Sequence, residues 1–304
     1  MNVSGDYADG YATSIHDSTT ATGGAGGNAT DGGTPGAGAS EDSTNNEKFS
    51  PIVFAGASFD AGNGSGTVTV TANATGGAGG SITNGSDSTG GAAGTATLYT
   101  HSPTGDYEVE GSTTGSLTLN QNATGGVGGG DYSDATGTGA IGGNADSEIT
   151  YNDSSASSLN ANTSATGGAG GSTDIGKGGI GGFATTSTVI TSTLNDPALS
   201  ASASVTGGAG GDATDGGTPG AGASENYFLN GDVNPAVANA TSYSSSTETT
   251  SGDGDVTATA SATGGAGGST MNGGPNSAAP PAARPSTQTT QRGMSRSRAP
   301  RTDR

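Results

Sequence analysis

The sequence predicts an all-β chain: a repetitive β-solenoid or β-roll-like array with glycine-rich turns, partly disordered, ending in a disordered tail. Three observations predict it. One heptapeptide returns six times, as Ala21–Gly27, Ala74–Gly80, Ala123–Gly129, Ala165–Gly171, Val205–Gly211 and Ala262–Gly268, with starts 53, 49, 42, 40 and 57 residues apart. Spacing of that kind marks an array of units. Residues ahead of most copies alternate apolar with polar, the period of a half-buried strand. Finally, the 304 residues include 61 Gly and 44 Ala but only 31 Leu, Ile, Val and Phe. That is about a tenth, against the roughly 20% below which a conventional core becomes improbable.

The units justify themselves in chain order. Residues 1–14 form an N-terminal segment, and the array spans 15–270. Ahead of the first copy the alternation is degenerate (Ile15, Asp17, Thr19, Ala21). Val68, Val70, Ala72 and Ala74 alternate with threonines before the second. Leu117, Leu119, Gln121 and Ala123 precede the third, and Leu159, Ala161, Thr163 and Ala165 the fourth. The fifth and sixth follow Leu199, Ala201, Ala203 and Val205, then Val256, Ala258, Ala260 and Ala262. The TGGAGG run reads as the turn that ends each strand, since Gly reaches φ > 0 and has no side chain to pack. A Gly-rich step then leads to a weaker second strand, as at Ala96 and Leu98, at Ala145, Ser147 and Ile149, and over Phe183–Ile190. Residues 22–41 recur at 206–225 with one change, Asn28 for Asp212, so the units arose by duplication.

Charge divides the chain. Residues 1–270 hold 26 acidic side chains against Lys48 and Lys177, whereas 271–304 hold six Arg against Asp303, giving −19 overall. The acidic body repels nucleic-acid phosphates and favours cations. No apolar run reaches the ~20 residues of a transmembrane helix. The N-terminus has neither the basic nor the apolar region of a Sec signal peptide. Without Cys there is no disulfide, thiolate metal site or thiol nucleophile. After Thr270 the composition shifts to a Pro/Arg-rich tail. GC-rich codons for Ala278–Pro285, read one base out of phase, can give GGAAGGTA, close to GGAAGTA at 90–96. The expectation is a frameshift near 271–277 that replaced further array.

The TGGAGG runs, the alternating lead-in and the Gly-rich return step resemble the Gly/Ala/Thr-rich β-strand repeat proteins of alphaproteobacteria. The resemblance covers roughly residues 10–270. It implies an exported protein of adhesin or haemagglutinin type, at the cell surface or secreted. The composition is also similar to the glycine-rich arrays of mycobacterial PE-PGRS proteins, without their N-terminal PE domain. The expected function is therefore non-enzymatic and structural, with no cofactor and with an unknown surface ligand or self-association as partner.

The alternative is a calcium-binding roll of RTX type, whose GGxGxDxUx repeat ligates Ca²⁺ through Asp and backbone carbonyls. Gly207–Asp212 fits its first six positions, making Asp212 and Asp215 the candidate metal ligands. Thr214 stands where a large apolar residue belongs, and the other copies carry Asn28, Ser81, Gly130, Ser172 and Ser269 at the Asp position. Loop pairs Asp131/Asp134 and Asp253/Asp255 are further acidic candidates. A largely disordered acidic chain is the third reading, because so little apolar matter opposes ~1–2 kcal/mol of backbone entropy per residue. Catalysis has no constellation behind it. Gly171 through Lys177 approximates a phosphate-binding loop, but Gly178 stands where Ser or Thr is required. His16 and His101 lie 85 residues apart.

Overall fold

The computed structural model describes residues 2–6, 14–42, 54–58, 66–84, 89–101, 108–133, 137–194, 197–223, 237–242, 255–271 and 286–290. The other residues, among them most of the tail and Asp134 and Asp253, lie outside this description.

Every regular element among the described residues is a strand. In chain order they are β1 (Asn2–Asp6), β2 (Ser14–Thr22), β3 (Ala29–Thr30), β4 (Glu41–Asp42), β5 (Phe54–Ser58), β6 (Thr67–Thr75) and β7 (Ile82–Thr83). Then come β8 (Ala96–His101), β9 (Val109–Ser112), β10 (Ser116–Thr124), β11 (Asp131–Tyr132), β12 (Ala145–Asp153), β13 (Ser158–Thr166) and β14 (Ala184–Ser192). The last are β15 (Ala198–Thr206), β16 (Ala213–Thr214), β17 (Val237–Ser242), β18 (Val256–Thr263), β19 (Thr270–Met271) and β20 (Ser286–Thr290).

The strands ahead of the six heptapeptides line up as β2-β6-β10-β13-β15-β18, all parallel, and β20 adds at the end. Register follows the sequence repeat residue for residue. Ala21, Ala74, Ala123, Ala165, Val205 and Ala262 are successive Cα partners. The second strands make a parallel sheet of their own, ordered β17-β14-β12-β8-β4, and β1-β5-β9 makes a third. Among the described residues no sheet closes into a barrel.

The inner positions of β6, β10, β13 and β15 meet those of β8, β12 and β14 across one core. Its larger members are Val68, Val70, Leu98, Leu117, Leu119, Ile149, Leu159, Ile190 and Leu199, all essentially buried. Alternation places them there, because a strand turns every second side chain to the same face. A polar seam interrupts the apolar layer. The Thr100 hydroxyl oxygen accepts from the Gln121 amide at 2.7 Å and from the backbone N–H groups of Glu108 (3.2 Å) and Val109 (3.1 Å). Thr163 pairs with Thr188 at 2.7 Å and accepts from Thr186, while Thr188 donates to the Ser202 carbonyl.

Asp153 shows how the chain leaves β12. Its carboxylate is buried and accepts from Ala156 N–H (2.8 Å) and Ser155 N–H (3.3 Å), holding the bend that seats Ala156 in the core. Burial raises its pKa above the ordinary aspartate value, and those hydrogen bonds only partly oppose the rise. With the folded pKa raised, the folded chain holds the proton to higher pH than the unfolded chain. Its share of stability is therefore greatest in acid and is lost as pH rises from the ordinary aspartate range through the elevated one. Asp153→Asn is expected to flatten that slope, measured as urea midpoints from about pH 3 to 7.

Candidate interaction surface

The glycine runs correct the expectation of turns. They are extended legs. Gly23, Gly26 and Ala29 donate to the carbonyls of Thr75, Ala78 and Ser81 at 2.8–2.9 Å, so bonds recur every third residue. That is the period of a polyproline II-type backbone, not the period of 2 in a strand. The same triplet repeats from copy to copy, as in Gly125, Gly128 and Asp131 donating to Thr166, Ala169 and Ser172. The reversal comes later, at Asp31–Gly32 and Asp215–Gly216, where φ is 51°, 83°, 49° and 91°. Gly33 N–H then donates to Thr30 and Gly217 N–H to Thr214, closing tight turns of the Asp-Gly kind. A return leg runs back beside each of the first five outgoing ones, with Gly36 N–H on Gly27 and Ala39 N–H on Gly24.

Outgoing and return legs alternate through the stack. One relay of ten hydrogen bonds of 2.7–2.9 Å joins residues 24, 39, 77, 94, 126, 143, 168, 182, 208, 223 and 265. A second of ten, at 2.8–3.0 Å, joins 27, 36, 80, 91, 129, 140, 171, 179, 211, 220 and 268.

This lattice dictates the motif. From the second copy onward each outgoing leg faces another backbone on two of its three sides. A Cβ on Gly76 would overlap the Gly94 carbonyl, and one on Gly77 would overlap the carbonyl of Gly24. Only the third position has room, and there the chain carries Ala25, Ala78, Val127, Ala169, Ala209 and Ala266. Hence the sequence T-G-G-A-G-G. Steric access, and not positive φ, requires the glycines.

The next outward position accounts for the residues where the calcium reading placed its Asp. Asn28 Oδ1 accepts from Ser81 N–H (2.8 Å), Ser81 Oγ from Gly130 N–H (3.1 Å), and Ser172 Oγ from Asp212 N–H (3.3 Å). Asp212 Oδ1 accepts from Ser269 N–H at 2.6 Å. The side chain at this position satisfies the outward N–H of the following copy, a task that Asn, Ser and Asp all perform. Asp215 is exposed in the Asp-Gly turn. Among the described residues no three His, Cys, Asp or Glu side chains group as a metal site. Asp131 is buried, with Oδ1 taken by Ser133 and Oδ2 without a partner. Asp212→Asn is expected to keep the wild-type melting temperature, whereas Asp212→Ala loses about 1 kcal/mol with its hydrogen bond. Paired thermal melts check this.

Lys177 lies on a return leg, paired through isolated bridges with Thr138 and Thr218, and Gly178 N–H donates to Thr218. The segment from Gly171 is part of the lattice and precedes no helix.

The outward face of the long sheet is the broadest regular surface described. Its positions hold Ser14, His16, Ser18, Thr20 and Thr22 on β2, and Thr, Ser and Asn throughout β6, β10 and β13. β15 adds Ala198, three serines and Thr206, and β18 adds three threonines and Ser261. In a chain of net charge −19, this face carries no Asp, Glu, Lys or Arg. Its side chains bond along the stack. Asn122 donates to Asn73 (2.9 Å), Asn162 to Asn120 (2.9 Å) and Asn120 to Thr71 (3.3 Å). The sheet beneath is different, since β12 turns half-buried Asp146 and Glu148 outward.

Comparison of the chain with family models, with curated proteins and with solved structures finds no match. Among the described residues, no helix is long and apolar enough to cross a membrane.

Proposed function

We propose that the chain is a β-solenoid array with a passive, structural role: an adhesin-like repeat protein of the cell surface or secreted fraction, without enzymatic activity. The observation that carries this reading is the shared register of six sequence copies in one parallel sheet, across intervals of 40 to 57 residues. Each copy adds a layer that leans on its neighbours, so length grows by duplication. Loops between layers absorb the differences in spacing. The near-neutral Ser/Thr/Asn face supplies a hydroxyl and amide surface from which the chain's own acidic charge is absent. Such a face meets a surface ligand without the repulsion that the rest of the body exerts.

Protease treatment of intact cells that make the protein, followed by detection of the array, tests the location. Release or trimming supports the reading, and complete protection until lysis overturns it. Small-angle scattering of the purified chain tests the architecture. A constant cross-section with one long dimension is expected, and a coil or an isometric globule overturns it.

A further inference from the structure

The first and last copies differ in what their glycines meet. At the second position of each triplet, Gly77, Gly80, Gly126, Gly129, Gly168, Gly171, Gly208, Gly211, Gly265 and Gly268 each face the carbonyl oxygen of the equivalent glycine one copy earlier. A Cβ at any of them would overlap that oxygen. Gly24 and Gly27 occupy the same position in the first copy, and a Cβ there meets no heavy atom within 4 Å. Their φ is not positive, so the backbone does not require glycine either. Around the same edge, the N–H groups of Gly24 and Gly27 and the carbonyls of Thr22 and Ala25 have no partner among the described residues.

The far end is complementary. The carbonyls of Gly265 and Gly268 accept from no N–H group among the described residues, the Gly265 oxygen lying beside Gly222, and Gly267 N–H, the equivalent of Gly26 N–H, has no described acceptor. Beside it the edge of β18 is covered by β20, which pairs antiparallel from Ala258↔Thr290 to Ala262↔Ser286. Every other strand pair among the described residues is parallel. An antiparallel strand cannot continue the register of the repeat. It ends the stack.

We propose that the first copy of one chain is built to receive the last copy of a second chain, head to tail, and that β20 is an intramolecular cap competing for that end. The inference rests on the layered reading above. In the docked pair Gly267 N–H donates to Ala25 of the second chain, as Gly26 does to Ala78 within one chain. Gly24 and Gly27 lie over the carbonyls of Gly265 and Gly268, where only glycine fits. The strand part is less well prepared. Asp17 faces inward on β2, with Oδ2 buried and without a partner, and docking aligns it with Ala258. An inward charge on an edge strand discourages promiscuous pairing, which leaves the glycine leg as the selective element. Head-to-tail contacts do not close, so the product is an open filament. The tethered cap holds the intact chain monomeric, because its effective concentration is of the order of millimolar.

The test uses full-length chains in light scattering coupled to size exclusion. Wild type is expected at its monomer mass of 28.4 kDa. Thr287→Pro with Thr289→Pro removes backbone donors from β20 and is expected to give a mass that rises with concentration. Gly24→Val with Gly27→Val, added to that background, restores the monomer, and Asp17→Val shifts assembly to severalfold lower concentration. Gln288→Pro repeats the release should the double variant lose strand signal in circular dichroism. A folded release variant that stays monomeric, or assembly that ignores Gly24→Val and Gly27→Val, overturns the proposal. Failure of the layered reading is distinguishable, because wild type itself would then lack a constant cross-section.

Discussion

Gly168→Val is expected to destabilise the chain by at least about 3 kcal/mol, the upper range for overpacking, since its obstacle is backbone and not a yielding side chain. The Cβ would overlap the Gly126 carbonyl oxygen while the Gly168 N–H is engaged with Gly143. Neither group can move without breaking a relay that runs the length of the stack. Gly24→Ala is the control. It is chemically similar, but the space is open and the expected change lies within about 0.5 kcal/mol. Urea denaturation of both variants gives the contrast, and equal midpoints would mean that the legs are not stacked as described.

Thr100→Val, nearly isosteric, is expected to cost about 3 kcal/mol. The hydroxyl oxygen accepts from the amide of Gln121 and is shared by the adjacent N–H groups of Glu108 and Val109, all buried. Removing a shared acceptor costs about 1–3 kcal/mol for each donor stranded away from water. No cavity is made, so the loss reports hydrogen bonding and not packing. Adding Gln121→Leu is expected to recover part of it by removing one stranded donor, and the cycle of the two single variants and the double isolates that coupling. A Thr100→Val midpoint equal to wild type would show that water reaches the seam.

Strand positions were legible because alternation and register are local properties. Val68 to Ala74 and Val256 to Ala262 announce both the strand and the side that faces inward, and the heptapeptide aligned copies that prove to be Cα partners. Even the degenerate lead-in Ile15, Asp17, Thr19, Ala21 pairs in register, since its neighbours impose it. The glycine legs were misread as turns because glycine signals two different things, freedom of φ and absence of Cβ. Only the partners across the gap reveal which one operates. The signal that separates them is the triplet phase, Gly23-Gly24-Ala25 then Gly26-Gly27-Asn28, together with Asp31-Gly32 standing beyond it as the true reversal. The bond that Asp212 makes was hidden for the same reason. Its acceptor role depends on Ser269, 57 residues away. The polar seam and the third sheet left no pattern, since Thr100 and Gln121 sit at inward positions where alternation predicts apolar residues.

The lattice also bears on how the protein meets temperature. Unfolding a conventional core exposes hydrocarbon and raises the heat capacity, whereas exposing peptide groups lowers it. Here the relays between residues 24 and 268 consist almost wholly of peptide units, with Ala as the commonest side chain. The calorimetric increment per residue should therefore fall below the ~12–15 cal/mol/K of ordinary domains, giving a broad, shallow stability curve. Such a curve loses little on cooling, so this chain should keep its shape in the cold, where proteins held together by oil-like interiors begin to weaken.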